Sequence, residues 1–228
     1  MGVPTGIELN EKTGQTSTPE VKSKVRGEQW FPGDLLQTSI GQMLHKYTPV
    51  QYAAYTATLA NDGTRMKTSI VKEVRDYSKK EIIEQTQPVV LEQSEVEKEH
   101  FETIKEGMVA ASRVGTAVRY FGDYPLDVAS KTGTPQTADF PNSTFISYAP
   151  AEDPEIAIAV VIEKGWHGYT GAPVAKKIFD DYFGYSVKTA KFASEPEDFA
   201  SSDSQENEGL SEEFDMPEES ADVAEMLN

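Results

Sequence analysis

Lys131-Thr132-Gly133-Thr134 sets an ammonium, two hydroxyls and a residue without a side chain in an unbroken row. A cation flanked by hydroxyls attracts and holds an anionic group such as a carboxylate, and the amine can also serve proton transfer at a nearby reacting atom. Gly133 lets a second backbone lie close along the chain, as an added strand does. The bland alternative is a strand end with a glycine turn, and four residues alone do not separate the two. Composition removes other chemistries. Without Cys there is no disulfide framework, thiolate zinc site or Cys nucleophile, and His45, His100 and His167 are too scattered for a metal cluster. Neither a metal nor a cofactor is expected.

The elements that must position the motif follow from periodicity and end signals. Residues 127–131 read as a strand entering a glycine-containing turn, which puts the motif at a strand end. Residues 144–148 and 156–163 are two further strands, joined by Ala149-Pro150-Ala151-Glu152-Asp153-Pro154, where the prolines break regular pairing. The second is apolar at every position from Ile156 to Ile162, the pattern of a strand covered on both faces. Ala172-Pro173 opens a last helix whose core-facing stripe is Val174, Ile178, Phe179 and Tyr182. Upstream, Thr48-Pro49-Val50-Gln51 is a capping box that presents Val50, Ala53, Ala54 and Ala57 on one face, and Asn61-Asp62-Gly63 ends that helix. Ser94-Glu95-Val96-Glu97 is a second box, followed at helical spacing by Val96, Phe101, Ile104, Met108 and Ala111. A short helical turn is expected between Gly115 and Phe121, a small hairpin over 68–84, and loop over 10–24, within a first forty residues rich in Gly, Pro, Thr and charge. Helix, helix, three strands and a closing helix make an α+β domain built on an antiparallel sheet.

The formal charge of −17 is unevenly spread. From Ser194 onward there are 13 Asp and Glu and no Lys or Arg, so the remaining 25 acidic and 21 basic residues leave the body at only −4. Residues 193–228 therefore read as an acidic, disordered tail, and residues 1–192 as the folded part. Neither offers the basic surface that nucleic-acid binding draws on. No window approaches the roughly 20 apolar residues of a membrane span, and the start lacks the pattern of a signal peptide.

The surroundings decide how the motif is read. Glu106-Gly107-Met108-Val109 and Gly115-Thr116-Ala117 precede it, and Pro135-Gln136 follows. Pro32-Gly33-Asp34, Ser39-Ile40-Gly41-Gln42 and Thr48-Pro49-Val50-Gln51 come in order upstream, with Phe145-Ile146-Ser147-Tyr148-Ala149-Pro150 and Gly171-Ala172-Pro173-Val174-Ala175 downstream. Over roughly residues 5–183 this series resembles the C-terminal half of the transpeptidase domain of class B penicillin-binding proteins, in particular the penicillin-binding protein 2, elongation-type group. Two positions depart from the family pattern: Ser130 stands where Gly usually precedes the Lys, and Met43 where Gly is common.

The resemblance implies a serine β-lactamase-like fold and a peptidoglycan D,D-transpeptidase with an acyl-Ser mechanism. Lys131, Thr132, Gly133 and Thr134 would then bind the D-Ala-D-Ala end of a stem peptide. Lys131 would assist proton transfer, and the Thr134 N–H would donate to the oxyanion, a contact whose loss costs on the order of 3 kcal/mol. Implied partners are the stem peptide, β-lactams and, for the intact protein, a membrane glycosyltransferase of the elongation machinery; the implied place is the extracytoplasmic face of the bacterial membrane. The family's S-x-x-K and S-x-N are a different matter. No S-x-N occurs in the 228 residues, and the one S-x-x-K, Ser69-Ile70-Val71-Lys72, falls in a β-branched segment where its first and last residues point to opposite faces. Both motifs, and the first strands of the family's five-stranded sheet, are thus expected upstream of Met1, so that this chain alone is inactive and leaves a sheet edge open. The alternatives are a non-catalytic binding or scaffold module of the same fold, and a β-lactamase or D,D-carboxypeptidase relative. Gly107-Met108 and Gly115-Thr116-Ala117 are assigned to helix packing, Trp166-His167-Gly168-Tyr169 to a surface connection, and His167 to solvent.

Overall fold

Proline at the first helical position opens each of the first three helices, and in each a nearby side-chain oxygen takes up a backbone N–H that the helix leaves unpaired. In α1 (Pro19–Arg26) Thr18 accepts from the Val21 N–H at 3.2 Å. In α2 (Pro32–Ser39) the Asp34 carboxylate accepts from the Phe31 N–H at 2.8 Å. In α3 (Pro49–Ala60) Thr48 and Gln51 cap each other as expected, at 3.3 and 3.0 Å. The computed structural model describes residues 1–137 and 139–185; the acidic tail lies outside them. Residues 10–24 are not all loop, because α1 begins at Pro19; like α2 it is eight residues long, too short for an apolar period to show. Lys22 ties the two helices: its buried ammonium is 2.7 Å from Asp34 and lies 4.7 Å from the Phe31 ring centre. On α3 the buried residues are Gln51, Thr56 and Leu59, whereas the anticipated alanine face is half-buried.

A small β arm follows. β1 (Thr64–Met66), β2 (Glu73–Arg75), β3 (Ile82–Gln85) and β4 (Val90–Gln93) form two antiparallel pairs: β2 with β3 is the expected hairpin, and β4 returns to pair with β1, which was not expected. α4 (Lys98–Arg113) begins at Glu97 rather than Ser94, whose hydroxyl instead accepts from the Val96 N–H. Its buried stripe is Phe101, Lys105, Met108 and Ser112; Ile104, expected inside, is 43% exposed. Lys105 can take a core-facing place because Glu102 pairs its ammonium at 3.1 Å.

α5 (Val118–Phe121) leads to the antiparallel sheet of β5 (Ala129–Gly133), β6 (Ser143–Ala149) and β7 (Ile156–Ile162), in that order, and α6 (Ala172–Tyr182) closes the body. The α+β expectation holds. Alternate residues along the strands feed two cores. On one face Val128, Phe145, Ala149 and Ile158 meet Phe121 of α5 and Ala172, Ala175 and Phe179 of α6. On the other Ala129, Ile146 and Tyr148 meet Leu59 of α3 and Phe101 and Met108 of α4. α6 is therefore turned from the expected stripe: Phe179 is buried, but Val174, Ile178 and Tyr182 are exposed. β7 is also not covered as its composition suggested, with only Ile158 buried. Among the described residues no helix is long and apolar enough to cross a membrane, and no group of His, Asp or Glu is arranged to hold a metal.

Candidate active site

β5 is an edge strand and carries Lys131, Thr132 and Gly133 as its last three residues, with Thr134 just beyond. Its entry is fixed by Arg113, at the last turn of α4. That guanidinium donates to the carbonyls of Gly122 (2.8 Å), Tyr124 (3.0 Å), Leu126 (3.3 Å) and Phe121 (3.4 Å), and pairs with Asp127 at 2.7 Å. A planar fork with five N–H donors suits this task, and carbonyls left over at the end of α5 need such a partner. Sequence reasoning passed over Arg113, since a lone basic residue at a helix end has no signature beyond its sign. A second tie lies one residue before the motif. Ser130, where the family usually has Gly, shares a hydrogen bond of 2.7 Å with Ser112 of α4, and both are fully buried.

The motif's own side chains divide by environment. Lys131 is exposed and donates to the Thr132 carbonyl. Thr132 Oγ1 lies 3.2 Å from Thr116 Oγ1, so Thr116, assigned to helix packing, instead stands beside the motif; Gly115 and Ala117 do pack, the latter fully buried. Nothing in the structure explains Gly107, which is exposed with open space beside it, while Met108 is buried. Thr134 Oγ1 accepts from the Gly168 N–H at 3.1 Å.

That last bond overturns the reading of 166–169 as a surface connection. Gly168 is buried against the motif: a Cβ there would fall 2.7 Å from the Gly133 nitrogen and 2.9 Å from the Thr132 Cβ. The signal was the glycine between aromatics, a residue whose missing side chain is a packing requirement. Gly133 differs, for a Cβ on it would meet nothing nearer than the Thr144 Cβ at 3.6 Å, an ordinary contact. The protein itself therefore gives no steric reason for glycine at 133. His167 is exposed, as expected, and stacks on Tyr169 at 5.2 Å.

Two other short motifs are set apart by their surroundings. Lys12-Thr13-Gly14 repeats the three letters, but it lies outside the named strands, and a Cβ at Gly14 would fall 2.5 Å from the Lys46 carbonyl oxygen, so packing accounts for that glycine. Ser69-Ile70-Val71-Lys72 lies in the β arm, not on a helix, and the Ser69 hydroxyl donates to the Glu8 carboxylate. That hydroxyl and the Ile70 N–H hold Glu8 down at about 2. The Ser69 proton is thus directed at a carboxylate and not at the amine of Lys72.

The arrangement can hold an anion-ended extended chain: an exposed ammonium and two hydroxyls along an edge strand, locked from behind by a glycine loop and from the side by α4. The penicillin binding protein transpeptidase domain family matches residues 1–184. Penicillin-binding protein 2A of Bacillus subtilis is 34% identical over 212 residues, covering 84% of this chain and 28% of the relative. Peptidoglycan D,D-transpeptidase MrdA of Acinetobacter baumannii is 30% identical over 196 residues, covering 78% and 29%. The chain thus spans less than a third of the length of these curated relatives. Among solved structures, penicillin-binding protein 2 of Pseudomonas aeruginosa, in complex with WCK 5153, superposes with a TM-score of 0.64 at 30% identity over 75% of this chain and 38% of its own. Fold, motif order and these likenesses agree: the chain belongs to the penicillin-binding protein transpeptidase family, among relatives of the elongation-type PBP2/MrdA group.

Proposed function

We propose that β5 binds the D-Ala-D-Ala end of a peptidoglycan stem peptide for D,D-transpeptidation, and that these residues supply the binding strand but not the nucleophile. The observation that carries this reading is the exposed Lys131 beside Thr132 and Thr134 on an edge strand, with a glycine at 133 that the protein's own packing does not require. Lys131 attracts the terminal carboxylate and serves proton transfer, the Thr132 and Thr134 hydroxyls hold that carboxylate, and the Thr134 N–H is one donor to the oxyanion. The acyl-accepting Ser and the S-x-N belong to a part of the enzyme outside these 228 residues, which contain no S-x-N and no helical S-x-x-K. In the intact enzyme that Ser attacks the penultimate D-Ala carbonyl and expels the terminal D-Ala, and the acyl group passes to an amine of a neighbouring stem peptide. β-Lactams, by their likeness to the dipeptide, occupy the same strand. Residues 1–192 then form the C-terminal portion of the transpeptidase domain, with 193–228 appended. The intact protein is membrane-anchored, faces out of the cytoplasm and works with a membrane glycosyltransferase.

The test is incubation of the 228-residue chain with a fluorescent penicillin, followed by denaturing electrophoresis. No covalent label is expected. A label that survives denaturation and is lost in Ser69→Ala would overturn the assignment of the nucleophile to another segment.

A further inference from the structure

The first residues of the chain are held from two sides. On one, Gln51 of α3 donates to the Val3 carbonyl at 2.9 Å. On the other, the Arg65 guanidinium of β1 donates to the Pro4 carbonyl, and the Thr68 N–H to the Thr5 carbonyl at 3.0 Å. Between these ties lies an open cavity of about 230 Å³, whose walls include Val3 and Thr5, Ala54 and Tyr55 of α3, and Arg65 and Glu92 of the β1–β4 pair. No residue of β5 lines it. Thr5 sets its chemistry. That residue is only 3% exposed, and its backbone is fully used, since its N–H donates to the Glu11 carboxylate at 2.8 Å and its carbonyl accepts from Thr68. Its buried hydroxyl, by contrast, is bonded to no group among the described residues. An unpaired buried hydroxyl is costly, and one that lines a cavity is satisfied by an acceptor that enters it.

We infer that this cavity is a binding site for a small uncharged molecule made of an aromatic ring and a carbonyl oxygen. Size admits the ring: an apolar cavity of about 150 Å³ already holds benzene, so about 230 Å³ has room for a ring and its carbonyl substituent. Val3, Ala54 and the Tyr55 ring give it apolar walls. The polar side calls for an acceptor, because the Thr5 hydroxyl is free to donate and Arg65 can only donate. Charge argues against an anion. The Arg65 guanidinium is already paired with Glu92 at 3.4 Å, and Glu11 stands beside Thr5, so an entering carboxylate would meet two of its own sign against one cation. The walls come from the first segment, α3 and the β arm, so an occupant fastens these three together. The site is independent of the role proposed for β5.

The experiment is an NMR titration of the isotope-labelled 228-residue chain with acetophenone and, separately, with benzoate. Acetophenone should move the amides of residues 3–5, 54–58, 63–65 and 92, leave those of 131–134 in place, and bind more tightly than benzoate. Thr5→Val keeps the shape and removes only the unpaired hydroxyl, so the fold is retained while acetophenone binds about 2- to 10-fold more weakly, the range of one hydrogen bond. Ala54→Leu, a second variant at a good helix-forming site, fills the cavity and should abolish binding with the amides of the β5–β7 sheet unmoved. The absence of any shift at the lining amides overturns the site. So does binding that Thr5→Val or Ala54→Leu leaves unchanged, or a response that centres on 131–134. Tighter binding of benzoate overturns the uncharged ligand class.

Discussion

β6 reads Ser-Thr-Phe-Ile-Ser-Tyr-Ala and is buried at every position; β7, paired with it over all seven residues, reads Ile-Ala-Ile-Ala-Val-Val-Ile and is buried only at Ile158. The difference lies in place, not in composition. β6 has a strand on each side and a core on each face, so even its hydroxyls are enclosed. The glycines that follow β7 also come close against β6: a Cβ at Gly165 would lie 2.6 Å from the Ser143 Cβ, and one at Gly171 would lie 2.8 Å from the Phe145 Cβ. Ser143 in turn donates to the Gly168 carbonyl. β7 has one lateral partner among the described residues, and its apolar side chains remain half open at the edge. The motif strand is thus supported by a central strand chosen for fit, while the apolar strand lies farthest from it.

Substitutions on the two strands should differ in proportion to that enclosure. Phe145→Ala, from a fully buried ring stacked near Phe121, should cost about 3–5 kcal/mol in urea unfolding. Gly168→Ala should cost about 1–3 kcal/mol, since its methyl must displace the Gly133 backbone, and the amide shifts of 132–134 should move with it. Val161→Ala, on a residue already 37% exposed, should cost less than about 1 kcal/mol; a loss equal to that of Phe145→Ala would show that the β7 edge is covered in solution and break the contrast. A separate effect is one of pH. Burial, with the Asp62, Glu102 and Glu152 carboxylates adding to it, pushes the Tyr148 phenol of β6 up to about 12. A folded value above the unfolded one near 10 means that this stability is full below about pH 10 and fades as pH rises toward 12. Thermal melts of Tyr148→Phe should accordingly decline less between those pH values than the unaltered chain; Tyr124, raised by burial and by its bond to Asp180, keeps part of the slope. β7 has no ionisable residue and should contribute nothing to it.

The motif, the capping box of α3, the hairpin and the three-strand order were legible because each is a local signal: a fixed spacing, a cap, a proline or an alternation. What was not legible depended on partners far along the chain. Lys105 is buried on α4 because Glu102 neutralises it, which moves the buried stripe off Ile104. α1 and α2 draw together through Lys22 and Asp34, a pair that no apolar period marks. The part of Gly168 in the site follows from its contact with Gly133, 35 positions earlier, and that of Arg113 from carbonyls that only the folded turn gathers. The motif's place at a strand end was readable and its supports were not, because supports are defined by geometry rather than by residue type.

The exposed strand also bears on association between copies. A seven-residue apolar run, rich in β-branched side chains and placed at a sheet edge, is the kind of segment that templates strands from other chains. Here Pro154 and Glu155 precede the run, and Glu163 and Lys164 follow it. Were a second copy to anneal antiparallel with Ile156 opposite Ile162, Glu155 of each would face Glu163 of the other; in parallel register each glutamate would face its own counterpart. Like charges therefore meet in either direction, and the proline beyond them offers no N–H to extend the ladder. The residues that flank β7 make another copy of this chain a poor occupant of its edge.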